Sequence, residues 1–351
     1  MQQKWYAASG YGDGRAADIL LFTADADGKM EIRDAASQGD CPSFLCAADG
    51  KLFAASELGD KAAITSFCVA NGRLMPEKRI EFSGRGLCNL TAGQQVLYAG
   101  CYQSGELYVT DHELERISCC YHDGIHIHGS ICMGGRELLA VELGGDALLK
   151  FRLQEEKPVG RPERIALREG SGPRQVLYDE SSRKMIVINE RGNSVAFGSG
   201  PNWYRNLVYR PATQACSAAN YPGGACIDRK GKLFVANRGA DTIAVFDVSK
   251  EMKFLGEWGC QGHWPRHLHC ADGGLVFAAC ERSNELCSFL WTEEHLPDNR
   301  ESRLRDVQSA KEEAYVSGRL CPADSLPLVR AACVTEIKNS RPEGEWRETD
   351  E

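Results

Sequence analysis

No two cysteines stand in a Cys-x-x-Cys pair, although the 351-residue chain carries sixteen of them. The nearest neighbours are Cys119 with Cys120, Cys41 with Cys46, and Cys280 with Cys287, and none has the spacing of a structural zinc site. Their density is too low for a disulfide scaffold. No stretch of 18 apolar residues is present, which excludes a membrane-spanning helix. The opening Met1-Gln2-Gln3-Lys4-Trp5 lacks the apolar core of a secretory signal. A cytoplasmic compartment is therefore expected, with the cysteines as free thiols acting as small apolar core residues. Lysine and arginine form no runs and the net charge is −8, which argues against a nucleic-acid partner. Hydrophobic residues make up 43%, enough to bury a core and to exclude wholesale disorder.

What the chain does have is a repeat and 36 glycines. The unit is a short apolar strand, a polar corner containing glycine, a second apolar strand closed by a polar residue, a turn, and a third strand. Copies start at Pro42, Cys88, His128, Pro173, Gly223 and Pro265, 40 to 50 residues apart. That period, with three or four short strands per unit, predicts an all-β β-propeller of four-stranded blades. The glycines then serve the hairpin corners. WYAASGY and ADILLFTAD near the N-terminus form part of a seventh blade, and the isolated LPLVRAACVTEI near the C-terminus is expected to pair with them and close the ring. The expected organisation is one propeller domain over 1–337 and a charged, disordered tail over 338–351. The polar stretch from about Thr292 to Pro327 is expected to carry a short helix on the rim.

The repeat phase also selects candidate functional residues. The second strand ends at Glu57, Tyr102, Glu142, Glu190, Arg238 and Glu281 in successive copies. The first strand opens with His126 and His128, with Arg174, and with Arg266 and His267. In an antiparallel hairpin the start of one strand and the end of the next share an edge, so both sets are expected around one mouth of the channel. The i, i+2 spacing of His126 and His128 would put both on one side of an extended strand and suits a metal. The arginines sharing that face repel a cation, so no metal and no cofactor is expected. His112 and His122 flank an acidic loop with no legible partner. GYGDG at 10–14 reads as a turn, because no helix follows it.

The segments GPRQVLYDESSRKMIVINE, GGACIDRKGKLFVANRGADTIAVFDV and HIHGSICMGGRELLAVELGGDALLKF resemble the lactonase family of seven-bladed propellers. That family includes propeller-type 6-phosphogluconolactonases and carboxy-cis,cis-muconate cyclase. The resemblance spans about residues 4–337, and Gln175 departs from the histidine that usually follows Gly-Pro-Arg. It implies an active site at His128, Arg174, Glu190 and Arg238, and the repeat phase adds His126, Glu57, Tyr102, Glu142, Arg266 and Glu281 as substrate-binding candidates. It also implies hydrolysis of a small anionic lactone, with His128 as general base, Glu190 orienting, and the arginines binding an anion or oxyanion. A lactonising lyase and a non-catalytic ligand- or protein-binding propeller are the alternatives. An enzyme requires an open cleft at Arg174 and Arg238. A binder expects those arginines in internal salt bridges and a large apolar patch elsewhere. The chain is expected to act as a monomer or weak homodimer.

Overall fold

A computed structural model describes residues 4–214, 219–295 and 316–337. It contains seven four-stranded antiparallel sheets. Among the described residues there is no α-helix, only short 3-10 turns. The sheets are blades. The first strands are Ala331–Ile337 in blade 1, Pro42–Ala48 in blade 2, Leu87–Ala92 in blade 3 and Ile127–Met133 in blade 4. Pro173–Asp179, Tyr221–Ile227 and Pro265–Cys270 open blades 5, 6 and 7. Each first strand touches the first strands of both neighbours, so these seven strands ring the central axis.

The core lies between the blades. Alternate residues of a strand point to opposite faces of its sheet. In the second strand of blade 2, Leu52 and Ala54 pack toward blade 1 while Phe53 and Ala55 pack toward blade 3. Leu233 and Val235 of blade 6 likewise face blade 5, and Phe234 and Ala236 face blade 7. Covered on both faces, such strands read as continuous apolar runs rather than alternating ones. Asp49 and Gly50 form a two-residue hairpin loop with both φ angles positive (49° and 73°), the pairing a type I′ turn requires.

Closure follows the expectation: Ala331–Ile337 pairs with Trp5–Gly10, with Trp5 opposite Ile337 and Ser9 opposite Cys333. Leu326 and Pro327 belong instead to the outer strand of blade 7. No helix is seen over the described part of 292–327. Glu285–His295 and Val316–Pro327 pair as a long outer hairpin, because Trp291 and Leu320 are buried in the core. Asp324 then accepts the Met30 N–H of blade 1 at 2.8 Å. Residues 296–315 and the expected tail 338–351 lie outside the described residues.

One cysteine expectation is corrected. Cys226 and Cys270, on the first strands of blades 6 and 7, form a disulfide with a Cα–Cα distance of 5.7 Å. Neighbouring first strands run close enough to satisfy disulfide geometry, which spacing along the chain does not reveal. The other cysteines among the described residues are free.

Candidate active site

Every first strand carries a β-bulge within two residues of its start, at Ser43, Cys88, Arg174, Arg266 and Ala332, at His128–Gly129, and at Gly223–Gly224. A bulge locally twists the strand and re-aims its side chain. Here it turns Cys88, His128, Arg174 and Arg266 toward the axis, where all line one cavity. The residue two positions before the bulge is left-handed in six blades: Cys41, Gly86, His126, Gly172, Trp264 and Arg330, with φ between 44° and 68°. Its carbonyl accepts the N–H of the residue that follows or ends the second strand. The donors are Glu57, Tyr102, Leu143, Glu190, Glu281 and Tyr11 respectively. Arg238 holds the same place in blade 6, paired with Tyr221.

That recurring hydrogen bond fixes which positions are equivalent, and it corrects Glu142. The ring position of blade 4 is Leu143; Glu142 is one residue out of phase. A one-residue slip in a strand moves a side chain to the opposite face. Glu142 is fully buried away from the mouth, accepting the Ile125 N–H at 2.9 Å and pairing with Arg164. His126 is corrected too. It is left-handed rather than extended, so it does not share a side with His128. Its ring stacks on Tyr102 at 4.5 Å and its Nδ1–H donates to the Tyr102 carbonyl at 2.9 Å, behind the cavity wall.

The other candidates meet. Glu57, Tyr102, His128, Arg174, Glu190, Arg238, Arg266 and Glu281 line a cavity of about 480 Å³ at one end of the axis. Tyr11 and Arg330 join them from blade 1, and Cys41, Gly86, Cys88 and Gln103 complete the wall. Tyr11 and Arg330 escaped the sequence reading because blade 1 is assembled from both chain ends. The signal was present: Tyr11 follows YAASG as Glu57 follows FAAS.

Arg174 Nη1 and Arg238 Nη2 both donate to Glu190 Oε2, at 2.6 and 2.8 Å. Burial works to raise the Glu190 carboxyl, but the two arginines override it and hold it below the usual carboxylate range. Arg238 also donates to the Tyr221 and Pro222 carbonyls at 3.0 and 3.3 Å, so its position is fixed. Across the mouth, Arg330 pairs with Glu281 at 3.0 Å, and Arg266 approaches the same carboxylate at 3.4 Å while donating to the Tyr11 hydroxyl. Tyr11 donates to Glu57 Oε1 at 3.3 Å. Burial raises the Glu57 carboxyl against the pull of Arg266.

His128 is held well below the ordinary imidazole range, first by burial and then by Arg174, Arg266 and Arg238. It is neutral at pH 7. Burial pushes the Cys88 thiol up to about 12, and it donates to the His128 carbonyl at 3.5 Å, so it is no nucleophile. Deeper along the axis a smaller cavity of about 220 Å³ shares Cys88, His128, Arg174 and Arg266 with the first, making these four the floor of the mouth. Gln175 lies there, exchanging hydrogen bonds with the Ala225 backbone of the next blade (3.1 and 2.7 Å). The cleft is thus open, as an enzyme requires, while its arginines are ion-paired, as a binder would show. Among the described residues no single apolar patch accompanies the pairing. The exposed large apolar residues, among them Ile32, Met75, Val159 and Val208, fall on different blades.

A family model described as lactonase, seven-bladed beta-propeller, matches residues 6–296. The chain belongs to this lactonase family. The 6-phosphogluconolactonase of Bacillus subtilis is 27% identical over 161 residues, covering 43% of this chain and 46% of that protein. That of Formosa agariphila is 25% identical over 211 residues, covering 56% and 57%. The chain thus aligns with about half the length of these curated relatives. Among solved structures, the periplasmic gluconolactonase of Pseudomonas aeruginosa superposes with a TM-score of 0.78 at 19% identity, over 96% of this chain and all of that one. At that identity the likeness speaks for the lactonase fold alone. No helix of the described residues is long and apolar enough to cross a membrane.

Proposed function

We propose that this lactonase-family chain hydrolyses a small anionic sugar lactone, in the manner of a 6-phosphogluconolactonase, at the mouth formed by all seven blades. The observation that carries this is the convergence of Arg174, Arg238, Arg266 and Arg330 on one open cavity, around a histidine kept neutral. The names of the curated relatives support the same reaction class.

Water attacks the lactone carbonyl carbon, its proton passes to a base, and negative charge develops on the carbonyl oxygen. The acyl–oxygen bond of the ring then breaks, and the ring oxygen takes the proton back from the base and leaves as a hydroxyl. His128 is the neutral imidazole at neutral pH, with one ring nitrogen free to accept a proton, and takes the base role, a contribution of about 10²–10⁴-fold for a well-placed group. Burial first, and then the three arginines that face it, make it a weak base. A bound phosphate or carboxylate offsets those charges and raises its basicity, so the substrate's own anion completes the catalyst. Arg174 and Arg238, preset on Glu190, hold the anion or the oxyanion. The free thiols favour a reducing compartment, with Cys226–Cys270 as the exception.

The test is hydrolysis of fresh 6-phosphogluconolactone against unphosphorylated gluconolactone and a carboxylated muconolactone, with spontaneous opening subtracted. The phosphorylated lactone is expected to react with a kcat/KM at least about tenfold above the neutral one, since one charge-assisted contact exceeds the 1.4 kcal/mol a decade requires. Equal rates for all three would remove the anionic assignment, and preferential turnover of the muconolactone would favour the lyase reading.

A further inference from the structure

A second cluster lies in blade 3, outside the mouth. Glu106 opens the third strand (Glu106–Asp111), Cys120 lies in the outer strand (Ile117–Tyr121), and His122 follows it. His122 Nδ1 is 2.9 Å from Glu106 Oε1 and 3.6 Å from Cys120 Sγ, and the three donor atoms all fall within 4.8 Å of one another. Zinc bonded tetrahedrally at its usual 2.0–2.3 Å to nitrogen, oxygen and sulfur sets such atoms roughly 3.3–3.6 Å apart. The triad therefore surrounds a point that an ion can occupy with small side-chain rotations.

The remaining carboxylate oxygen is already committed. Tyr108 donates to Glu106 Oε2 at 3.0 Å and is itself 3.0 Å from the Ser83 hydroxyl. Outer-sphere hydrogen bonds of this kind fix a metal ligand's orientation. The adjacent Cys119 faces the other side of the strand, packed against the interface of blades 3 and 4. His122 is exposed, which leaves solvent access for a fourth ligand.

We propose that Glu106, Cys120 and His122 form a zinc-type metal site with three protein ligands and water as the fourth. On binding, the Cys120 S–H gives up its proton to solvent and the sulfur bonds the ion, so one proton is released per ion. The site sits where the segment 122–126 leaves blade 3. That segment packs closely on the 101–106 hairpin: a side chain at Gly105 would strike the Gly124 carbonyl. The hairpin carries Tyr102 and Gln103 of the mouth wall, and the segment carries His126 behind it. A bound ion would fasten the two together.

The test is titration of the reduced, chelator-stripped full chain with Co²⁺, read by thiolate-to-cobalt charge-transfer absorption, and with Zn²⁺ in competition with a chromophoric chelator. One ion per chain and a charge-transfer band are expected. C120S should lose the band and C119S should keep it. H122A, at an exposed position that leaves packing untouched, should weaken Zn²⁺ binding at least tenfold, and Y108F about tenfold. C120S should retain its lactone turnover, since Cys120 lines neither cavity. Absence of the band in the wild type, an equal band in C120S, or unchanged affinity in H122A would overturn the proposal.

Discussion

Glu142 shows how one residue of register separates function from support. Its side chain holds the Ile125 amide and Arg164 and does not line the cavity. Glu142→Ala leaves that buried amide without an acceptor, which costs about 1–3 kcal/mol. Arg164 is half-exposed and adds little. Chemical denaturation should show the loss, while turnover per folded molecule stays unchanged. A fall in turnover to match the loss at Glu190→Gln would return Glu142 to the site. The slip was invisible in the sequence because LLAVEL offers a carboxylate one position before the phase-correct Leu143. Charge drew the alignment, where the hydrogen bond from Leu143 to the His126 carbonyl sets it. His128, Arg174, Glu190 and Arg238 were legible because residue type and phase agreed there.

At the level of the strand, the bulge aims the site. Sequence periodicity located six of the first strands and the orphan C-terminal strand supplied the seventh, yet a bulge consumes one residue without changing composition, so the inward turn of Arg174 and Arg266 could be argued only as an edge position. In blade 6 the bulge is Gly223–Gly224, two glycines that allow a close approach to blade 7. An added Cβ at Gly224 would lie 2.9 Å from the His267 Cα and 3.2 Å from the Arg266 carbonyl oxygen. Backbone cannot yield as a flexible side chain can, so Gly224→Ala should push the first strand of blade 7 outward and displace Arg266. Overpacking of this kind costs about 1–3 kcal/mol. Thermal unfolding should show the loss, and KM for an anionic lactone should rise more than kcat falls. An alanine variant with wild-type stability and kinetics would show that the strands have room to spare.

For the whole molecule, the ring confines titratable groups along its axis, and stability should follow pH accordingly. Burial and then His269 pull His267 down to about 3, and His128 also lies well below 6.5. Both are neutral in the folded chain while the unfolded chain binds protons below 6.5. Stability is therefore full above that pH and falls as the pH drops below it, by about 1.4 kcal/mol per pH unit for each histidine. Urea midpoints measured from pH 7 to 4 should decline over that window, and His267→Phe should flatten the slope. A midpoint constant from pH 7 to 5 would contradict the buried neutral state of both. Closure of the ring by the two chain ends was legible from sequence, because an orphan apolar strand needs a partner. The long outer hairpin of blade 7 was not, since its charged composition masks Trp291 and Leu320.

The claim on which the rest depends is that the arginine-lined mouth carries the reaction. The direct measurement is kcat/KM for fresh 6-phosphogluconolactone, corrected for spontaneous opening, in the wild type, Arg174→Ala and Glu142→Ala. Arg174→Ala is expected to lose about 10²–10³-fold, the usual cost of removing one preset oxyanion donor, with Glu142→Ala within twofold of the wild type. Wild-type turnover in Arg174→Ala would contradict it.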